Sequence, residues 1–366
     1  MRKGWEYKRW KEVLTIINGK NQSAVVDENG EYPIYGSGGI MGYANNWLCP
    51  ENCVIIGRKG NINKPIFVET KFWNVDTAFG LNANKEYLLP KFLYYFCLDY
   101  NFERHNKAVT IPSLTKADLL KIDIPLPPLS TQLAIVSELD KINELIRLKK
   151  EQLKDFDNLA QSLFYEMFGD PVENEKGWEV KTFGEIGSVE RGAGISKKDF
   201  VKEGLPCIHY GQLHTILGPR TTKHFTSIPH NLLPKYKIAH TGDLVMAITS
   251  EDVEGSCKST VWLGDYDIIV GSDAAIFHHK QDGTFLSYYT MTKAFFNEKA
   301  KYAKGFKVTH ISAKEIEKIP VYLPPLSLQR LFAQRIEQIE REKSEVQKSI
   351  QDLETLQASR MQYWFE

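Results

Sequence analysis

The sequence predicts an α+β chain: two mixed α/β globular parts, each followed by a long helix, with the two helices pairing as a coiled coil. Three observations carry this. The stretch Leu126-Pro127-Pro128-Leu129-Ser130-Thr131-Gln132 returns as Leu323-Pro324-Pro325-Leu326-Ser327-Leu328-Gln329, an offset of 327 − 130 = 197 residues. A heptad seam follows each copy. An opening Gly4-Trp5-Glu6-Tyr7-Lys8 returns as Gly177-Trp178-Glu179-Val180-Lys181. Duplication fixes architecture before any local pattern does. It divides the chain into residues 1–125, 126–169, 170–320 and 321–366.

The first globular part reads as mixed α/β. Residues 31–43 form a strand broken by the glycines at 36, 38 and 39. No Lys-Ser/Thr and no helix follow them, so a phosphate loop is excluded, and the glycines serve a tight turn. Cys53-Val54-Ile55-Ile56-Gly57 is a buried-strand pattern. It runs into Arg58-Lys59-Gly60-Asn61-Ile62-Asn63-Lys64, which places three cations and two amides in one loop. Cations suit phosphates or guanine edges, and Asn suits adenine. A solvated basic turn is the plainer alternative. Residues 88–96 read as a helix with an aromatic face used for core packing, and 113–120 as a short capped helix beginning at Ser113.

Each Pro-Pro pair stops strand and helix alike, because proline fixes φ and lacks an amide donor. Ser130 and Ser327 are the expected N-caps, with Leu129 and Leu326 at the position before them. The first helix ends at Gly169-Asp170-Pro171, a left-handed glycine followed by a residue that cannot continue it. Residues spaced alternately by three and four form a seam. In the first helix it runs through Leu139, Ile142, Ile146, Lys149, Leu153 and Phe156. In the second it runs through Ile336, Ile339, Lys343, Val346, Ile350 and Leu353. About five such repeats mark a coiled coil. One interior lysine per seam costs stability and can fix register. At ~1.5 Å per residue each helix spans roughly 55–60 Å. The seam alone leaves parallel and antiparallel pairing open. Ordinary core helices are the plainer alternative, although those run shorter.

The second globular part restarts with the Gly-Trp motif and exits through 308–312, much as the first exits through 110–112. Little other local similarity joins the two parts. The frames match and the contents differ.

Composition narrows the class. Lys+Arg and Asp+Glu both number 46, so the chain does not grip DNA by bulk charge. The first 112 residues are mildly basic and the first long helix mildly acidic. Five cysteines at irregular spacing suit a reduced, cytoplasmic protein rather than a disulfide framework. No signal peptide or membrane span is expected.

A metal-dependent nuclease is the enzyme alternative. Asp170 with Glu179-Val180-Lys181, Glu69-Thr70-Lys71 and Glu6-Tyr7-Lys8 have the outline of its active site. Such triplets arise by chance in a chain that is 25% charged. No Asn/Asp-Pro-Pro-aromatic tetrapeptide of a methyltransferase is present. Cys49 and Cys53 have no second pair nearby, and His209, His214, His278 and His279 read as surface histidines rather than zinc ligands. A coiled-coil adaptor between proteins is the third class. It leaves the two unlike globular parts unexplained.

The order of globular part, Leu-Pro-Pro-Leu-x-x-Gln, long helix, Gly-Trp restart, second part, second motif and second helix resembles the specificity subunit of type I restriction–modification systems. Tyr32-Pro33-Ile34-Tyr35-Gly36, Ile56-Gly57-Arg58-Lys59-Gly60 and Asp76-Thr77-Ala78-Phe79 resemble one common type of target-recognition domain. The family often has Glu where Thr131 and Leu328 stand. The resemblance implies that 1–125 and 170–320 are target-recognition domains, each reading half of a bipartite site on double-stranded DNA. It implies an antiparallel coiled coil that sets their spacing. It also implies a chain with no catalytic residues, metal or cofactor of its own. Two methyltransferase subunits would supply S-adenosylmethionine and adenine methylation, and restriction subunits would supply translocation and cleavage.

Candidate DNA contacts are Arg58, Lys59, Asn61, Asn63 and Lys107 in the first part. In the second they are Gln212, His214, Lys304, Lys307 and Thr309, from the polar stretch after Tyr210 and the basic run 301–307. Any of them can contact phosphates alone, which position without specifying.

Overall fold

The structure is a computed structural model describing residues 4–106, 111–195, 197–230, 236–305 and 308–365. It divides into two units, Met1–Glu151 with Val346–Glu366, and Gln152–Glu345.

The first globular part runs β1 (Glu6–Arg9), α1 (Trp10–Val13), β2 (Leu14–Asn18), β3 (Tyr32–Gly36), β4 (Gly39–Ala44), β5 (Cys53–Gly57), β6 (Ile66–Val68), β7 (Trp73–Asn74), β8 (Ala78–Ala83), α2 (Pro90–Asp99), α3 (Lys116–Leu119) and β9 (Asp123–Leu126). One antiparallel sheet has the order β2-β8-β5-β6. A second, β4-β3-β7, pairs β3 antiparallel with β4 and parallel with β7. All five residues of β5 are buried, as its unbroken apolar run requires. Pro90 at the first turn of α2 costs no hydrogen bond, and Phe92, Leu93, Tyr95 and Phe96 turn inward. The cap of α3 is Thr115, whose hydroxyl accepts from the Asp118 amide at 3.2 Å, so the helix starts later than Ser113 suggested.

The first long helix, α4 (Leu129–Phe168), follows β9 after two prolines. The expected serine cap is not what forms. Pro128 O accepts from the amides of Thr131 and Gln132 at 2.8 and 3.0 Å, and Ser130 already lies in the first turn. The proline carbonyl is free to accept even though its nitrogen cannot donate. Pro325 does the same for Leu328 and Gln329 at the head of the second long helix, at 2.9 and 3.1 Å. The end of α4 is as expected: Gly169 has φ +77° and its amide donates to Tyr165 O at 2.8 Å.

The second globular part runs β10 (Glu179–Thr182), α5 (Phe183–Ile186), β11 (Gly187–Arg191), β12 (Leu205–Ile208), α6 (Tyr210–Thr215), β13 (Arg220–Thr221), β14 (Thr226–Ile228), β15 (Lys237–Ala239), β16 (Leu244–Ala247), β17 (Thr249–Ser250), β18 (Ser259–Trp262), β19 (Ile268–Val270), β20 (Ala274–His279), α7 (Gly283–Tyr289), α8 (Lys293–Ala300), β21 (Thr309–His310), α9 (Ala313–Ile316) and β22 (Pro320–Leu323). The second long helix, α10 (Leu326–Phe365), ends the chain.

The second part repeats the topology of the first. Its larger sheet, β11-β20-β16-β18-β13, contains the order β2-β8-β5-β6 plus one added edge strand. Its other sheet, β14-β12-β19-β15, pairs β12 antiparallel with β14 and parallel with β19, as β3 pairs with β4 and β7. The ladder β1·β9 pairs Glu6 with Leu126, and β10·β22 pairs Glu179 with Leu323. The contents that differ in sequence therefore share one fold.

The long helices run antiparallel in each unit. In the first unit Arg360 is ion-paired with Glu138, and Gln357 Nε2 donates to Asn143 Oδ1 at 2.6 Å. Lys150 Nζ meets Glu354 Oε1 at 2.8 Å. Leu139, Ile142, Ile146, Val346 and Ile350 are buried there, while Lys149 and Leu353 are half-buried. Trp5 stacks on Trp364, ring centroids 6.3 Å apart. In the second unit Phe164 and Phe168 pack on Phe332 against a core that includes Phe285, with Ile336 and Ile339 buried and Leu153 and Phe156 half-buried. Lys343 Nζ bonds Asp157 at 2.7 Å and Glu340 at 3.0 Å. Burial pulls the Lys343 pKa down, and these two carboxylates more than offset it, leaving the ammonium held above its ordinary value. Trp178 Nε1 donates to Phe168 O at 2.8 Å, so each copy of the Gly-Trp motif closes a long-helix C-terminus within its own unit.

Candidate nucleic-acid interface

The basic loop of the first unit begins where β5 leaves its sheet. Arg58 N donates to Thr77 O at 2.8 Å, and Arg58 O accepts from Leu114 N at 2.9 Å. Lys59 bridges Ser113. These bonds hold the loop's root and leave Arg58, Lys59 and Asn61 exposed. The Arg58 guanidinium lies 5.9 Å from the Phe79 ring centre, and one of its N–H groups reaches Asp76 O at 3.4 Å. The loop folds back so closely that a Cβ on Gly57 would stand 2.3 Å from Asn61 O. The β3–β4 turn lies alongside: a Cβ on Gly38 would stand 3.8 Å from the Asn61 side-chain nitrogen. Ile40 and Met41 on that hairpin are 56% and 63% exposed, which puts apolar contact beside the cations.

Asn63 has another role. Its Oδ1 accepts from Phe102 N at 2.8 Å and its Nδ2 donates to Asn101 at 3.4 Å, tying the loop's far end to the segment after α2. Lys107 lies outside the described residues.

In the second unit His214 sits on α6 with Nε2 donating to Thr249 O at 3.1 Å. It lines a cleft of about 1040 Å³ that also involves Tyr210, Glu251, Asp252, Lys258 and Phe296. Gln212, four residues into the sequence from Ile208, is buried. Its Oε1 accepts from His209 N at 3.1 Å, which caps α6. Thr309 is buried in β21, paired with Ser250. Lys304 is exposed and ion-paired with Glu315 at 2.5 Å. That pair, with the amide and hydroxyl of Ser312, holds the Glu315 carboxyl down at about 2. Lys307 lies outside the described residues. The structure thus groups Arg58, Lys59 and Asn61 on one loop, places His214 in a cleft, and gives Asn63, Gln212 and Thr309 internal partners.

Sequence reasoning passed over the segment 248–258, because it is not basic. Lys299, buried behind it, donates its ammonium to the carbonyls of Glu254 and Ser256. Burial pulls the Lys299 pKa down.

The other polar clusters have structural partners. Cys49 and Cys53 are buried free thiols, and burial pushes both up, Cys53 to about 12. Cys49 Sγ donates to Asn74 Oδ1 at 3.0 Å. Lys181 pairs with Glu179 at 3.2 Å, and Lys71 lies 4.8 Å over the Trp47 ring. His278 and His279 are half-buried rather than on the surface: His278 Nδ1 bonds Asp243 at 2.8 Å, and burial pulls His279 down to about 4. Among the described residues no group of three or more His, Cys, Asp or Glu could hold a metal ion. No described helix is long and apolar enough to cross a membrane. In the first unit α4 exposes Leu133 and Leu145, which flank a shallow groove that includes Val136, Asp140 and Lys141.

Known proteins share this organisation. The chain is 24% identical to the type I restriction enzyme MjaVIII specificity subunit of Methanocaldococcus jannaschii, over 94% of this chain and 90% of that protein. It is 22% identical to the EcoDI specificity subunit of Escherichia coli, over 92% and 81%. A solved type I restriction–modification S subunit from M. genitalium superposes with a TM-score of 0.59 at 14% identity, covering 99% and 96% of the two chains. A chain from a study of assembly and conformational transition in a type I system gives 0.61 at 19%, covering 99% and 97%. The family described as type I restriction modification DNA specificity domain matches residues 2–155 and 175–355. The two matched stretches fall on the two copies of one fold, and with them the chain belongs to the type I restriction–modification specificity-subunit family.

Proposed function

We propose that the two globular parts, residues 1–125 and 170–320, are target-recognition domains that each read one half of a bipartite DNA site, and that the paired helices, residues 126–169 and 321–366, set the gap between the halves. The chain itself carries out no chemistry. It recruits two methyltransferase subunits, which bring S-adenosylmethionine, and restriction subunits that translocate and cut.

One observation carries this reading: a single topology built twice from unlike residues. Two equivalent frames offer equivalent docking surfaces to two copies of one partner. Unlike residues on the exposed loops let each frame read a different sequence. Leu133, Val136 and Leu145 line one groove on α4, and apolar side chains gathered in this way suit a protein partner better than scattered ones do. A near-zero net charge fits a subunit whose partners share the phosphate clamp.

The test is the methylome of cells expressing the chain together with type I methyltransferase subunits. The reading expects one motif of two short specified halves around a fixed unspecified gap. A single continuous motif contradicts it. So does robust nuclease or methyltransferase turnover by the purified chain alone.

A further inference from the structure

The duplicated fold gives a residue-by-residue correspondence between the two units at the point where β5 and β16 leave their sheets. Three contacts fix it. Arg58 N donates to Thr77 O, one residue before β8, and Ile248 N donates to Asp273 O, one residue before β20, at 2.8 and 3.1 Å. Arg58 O accepts from Leu114 N at 2.9 Å, and Ile248 O accepts from Ile311 N at 3.0 Å, with 311 − 114 = 197. Lys59 bridges Ser113, and Thr249 pairs with His310, again 197 apart. Ile248 therefore stands for Arg58, Thr249 for Lys59, Ser250 for Gly60 and Glu251 for Asn61. The offset here is 248 − 58 = 190 rather than 197, so a comparison by the long-helix repeat does not find it.

Resting on the reading of each unit as a target-recognition domain, we infer that the segment 248–258 is the base-reading loop of the second unit, and that Glu251 is a specificity-determining residue that accepts a hydrogen bond from a base amine. Glu251 is exposed and borders the cleft shared with Tyr210 and His214. Its carboxylate has no bonded partner among the described residues, whereas the loop around it is fixed. His214 donates to Thr249 O, Asp252 Oδ1 accepts from Gly255 N at 2.7 Å, and Lys299 gathers the Glu254 and Ser256 carbonyls. A hydrogen-bonded loop that holds an unpaired carboxylate at the place of Asn61 is suited to reading.

The chemistry differs between the units. The first loop offers donors, a guanidinium for guanine O6 and N7 and an amide for adenine. The second offers an acceptor, which matches the N4 amine of cytosine or the N6 amine of adenine in the major groove. The second half-site then contains a C or an A at the position facing Glu251.

The experiment uses the chain in complex with its methyltransferase subunits. Duplexes carry the methylome-defined site with each base pair replaced in turn, and methylation rates are compared for the native complex, Glu251→Gln and Glu251→Ala. The expected result is loss of discrimination of about tenfold or more at one base pair of the second half-site in the alanine variant, with the first half-site read as before. Unchanged discrimination, a change in the first half-site, or a uniform fall at every duplex overturns the assignment. A native complex that shows no bipartite preference overturns the recognition-domain reading itself.

Discussion

Gln132 and Gln329 are both fully buried, and both use their side chains to fasten a long helix to the globular part before it. Gln132 Oε1 accepts from Leu89 N, the cap of α2, at 2.9 Å, and its Nε2 donates to Pro127 O and Tyr87 O at 2.9 and 2.7 Å. Gln329 Oε1 accepts from Asp282 N, the cap of α7, at 3.0 Å, and its Nε2 donates to Pro324 O and to Gln281 Oε1 at 2.8 and 3.0 Å. The glutamine is the reason the motif is more than a proline stop. Removing it strands buried donors and acceptors that water cannot reach. Gln132→Ala should cost about 2–4 kcal/mol, read as a lowered urea midpoint. A cost under about 0.5 kcal/mol would mean that the site refills with water.

Lys343 tests the polar step in the seam. Its ammonium is held by Asp157 and Glu340, whose own side chains stay partly in water. Lys343→Met removes ion pairs that more than offset the burial of the ammonium. It should lower stability by about 1 kcal/mol on thermal melting. A gain of similar size would show that an apolar side chain serves the seam better than the paired charge.

His279 gives a pH dependence. Burial holds its folded pKa at about 4, below the ordinary 6.5. The unfolded chain takes up the proton first, so stability falls as the pH drops from 6.5 towards 4. The loss is roughly 2–3 kcal/mol over that window, at about 1.4 kcal/mol per pKa unit. His279→Gln should flatten the curve there. Below that window the native chain also begins to lose what Glu315 contributes, because its folded pKa is depressed to about 2. An unchanged slope in the glutamine variant would remove His279 from the account.

Gly57 tests the first loop. A Cβ there meets backbone at Asn61, so Gly57→Ala must displace Arg58 and Asn61. Methylation should fall about tenfold or more at sites that depend on the first half, by the worth of one well-formed base contact. Equal loss of every exposed-loop function, with a collapsed melting curve, would place the effect in the fold instead.

The long helices and the restart were legible because their signals are local. Proline fixes its own φ, a left-handed glycine follows Phe168, and the seam repeats every three or four residues. The shared topology of the globular parts was not legible, because the parallel pairs β3·β7 and β12·β19 join residues far apart in sequence. Polarity alone nominated Gln212 and Thr309, and polarity does not report burial: one caps α6 and the other is paired in β21. Searching for cations found Arg58 and missed Glu251, an acidic residue at the place that Asn61 holds in the first unit. The serine caps failed for a simpler reason. Each helix begins at the leucine before the serine, with the proline carbonyl accepting the first helical amides, so the serine already lies inside the first turn.

The most direct measurement is an exchange. Residues 1–112 are replaced by the corresponding stretch of another specificity subunit of known motif, and the methylome is sequenced. The account predicts a motif with a new first half, the same second half and the same gap. A motif in which both halves change, or neither, contradicts two independent readers held by one strut.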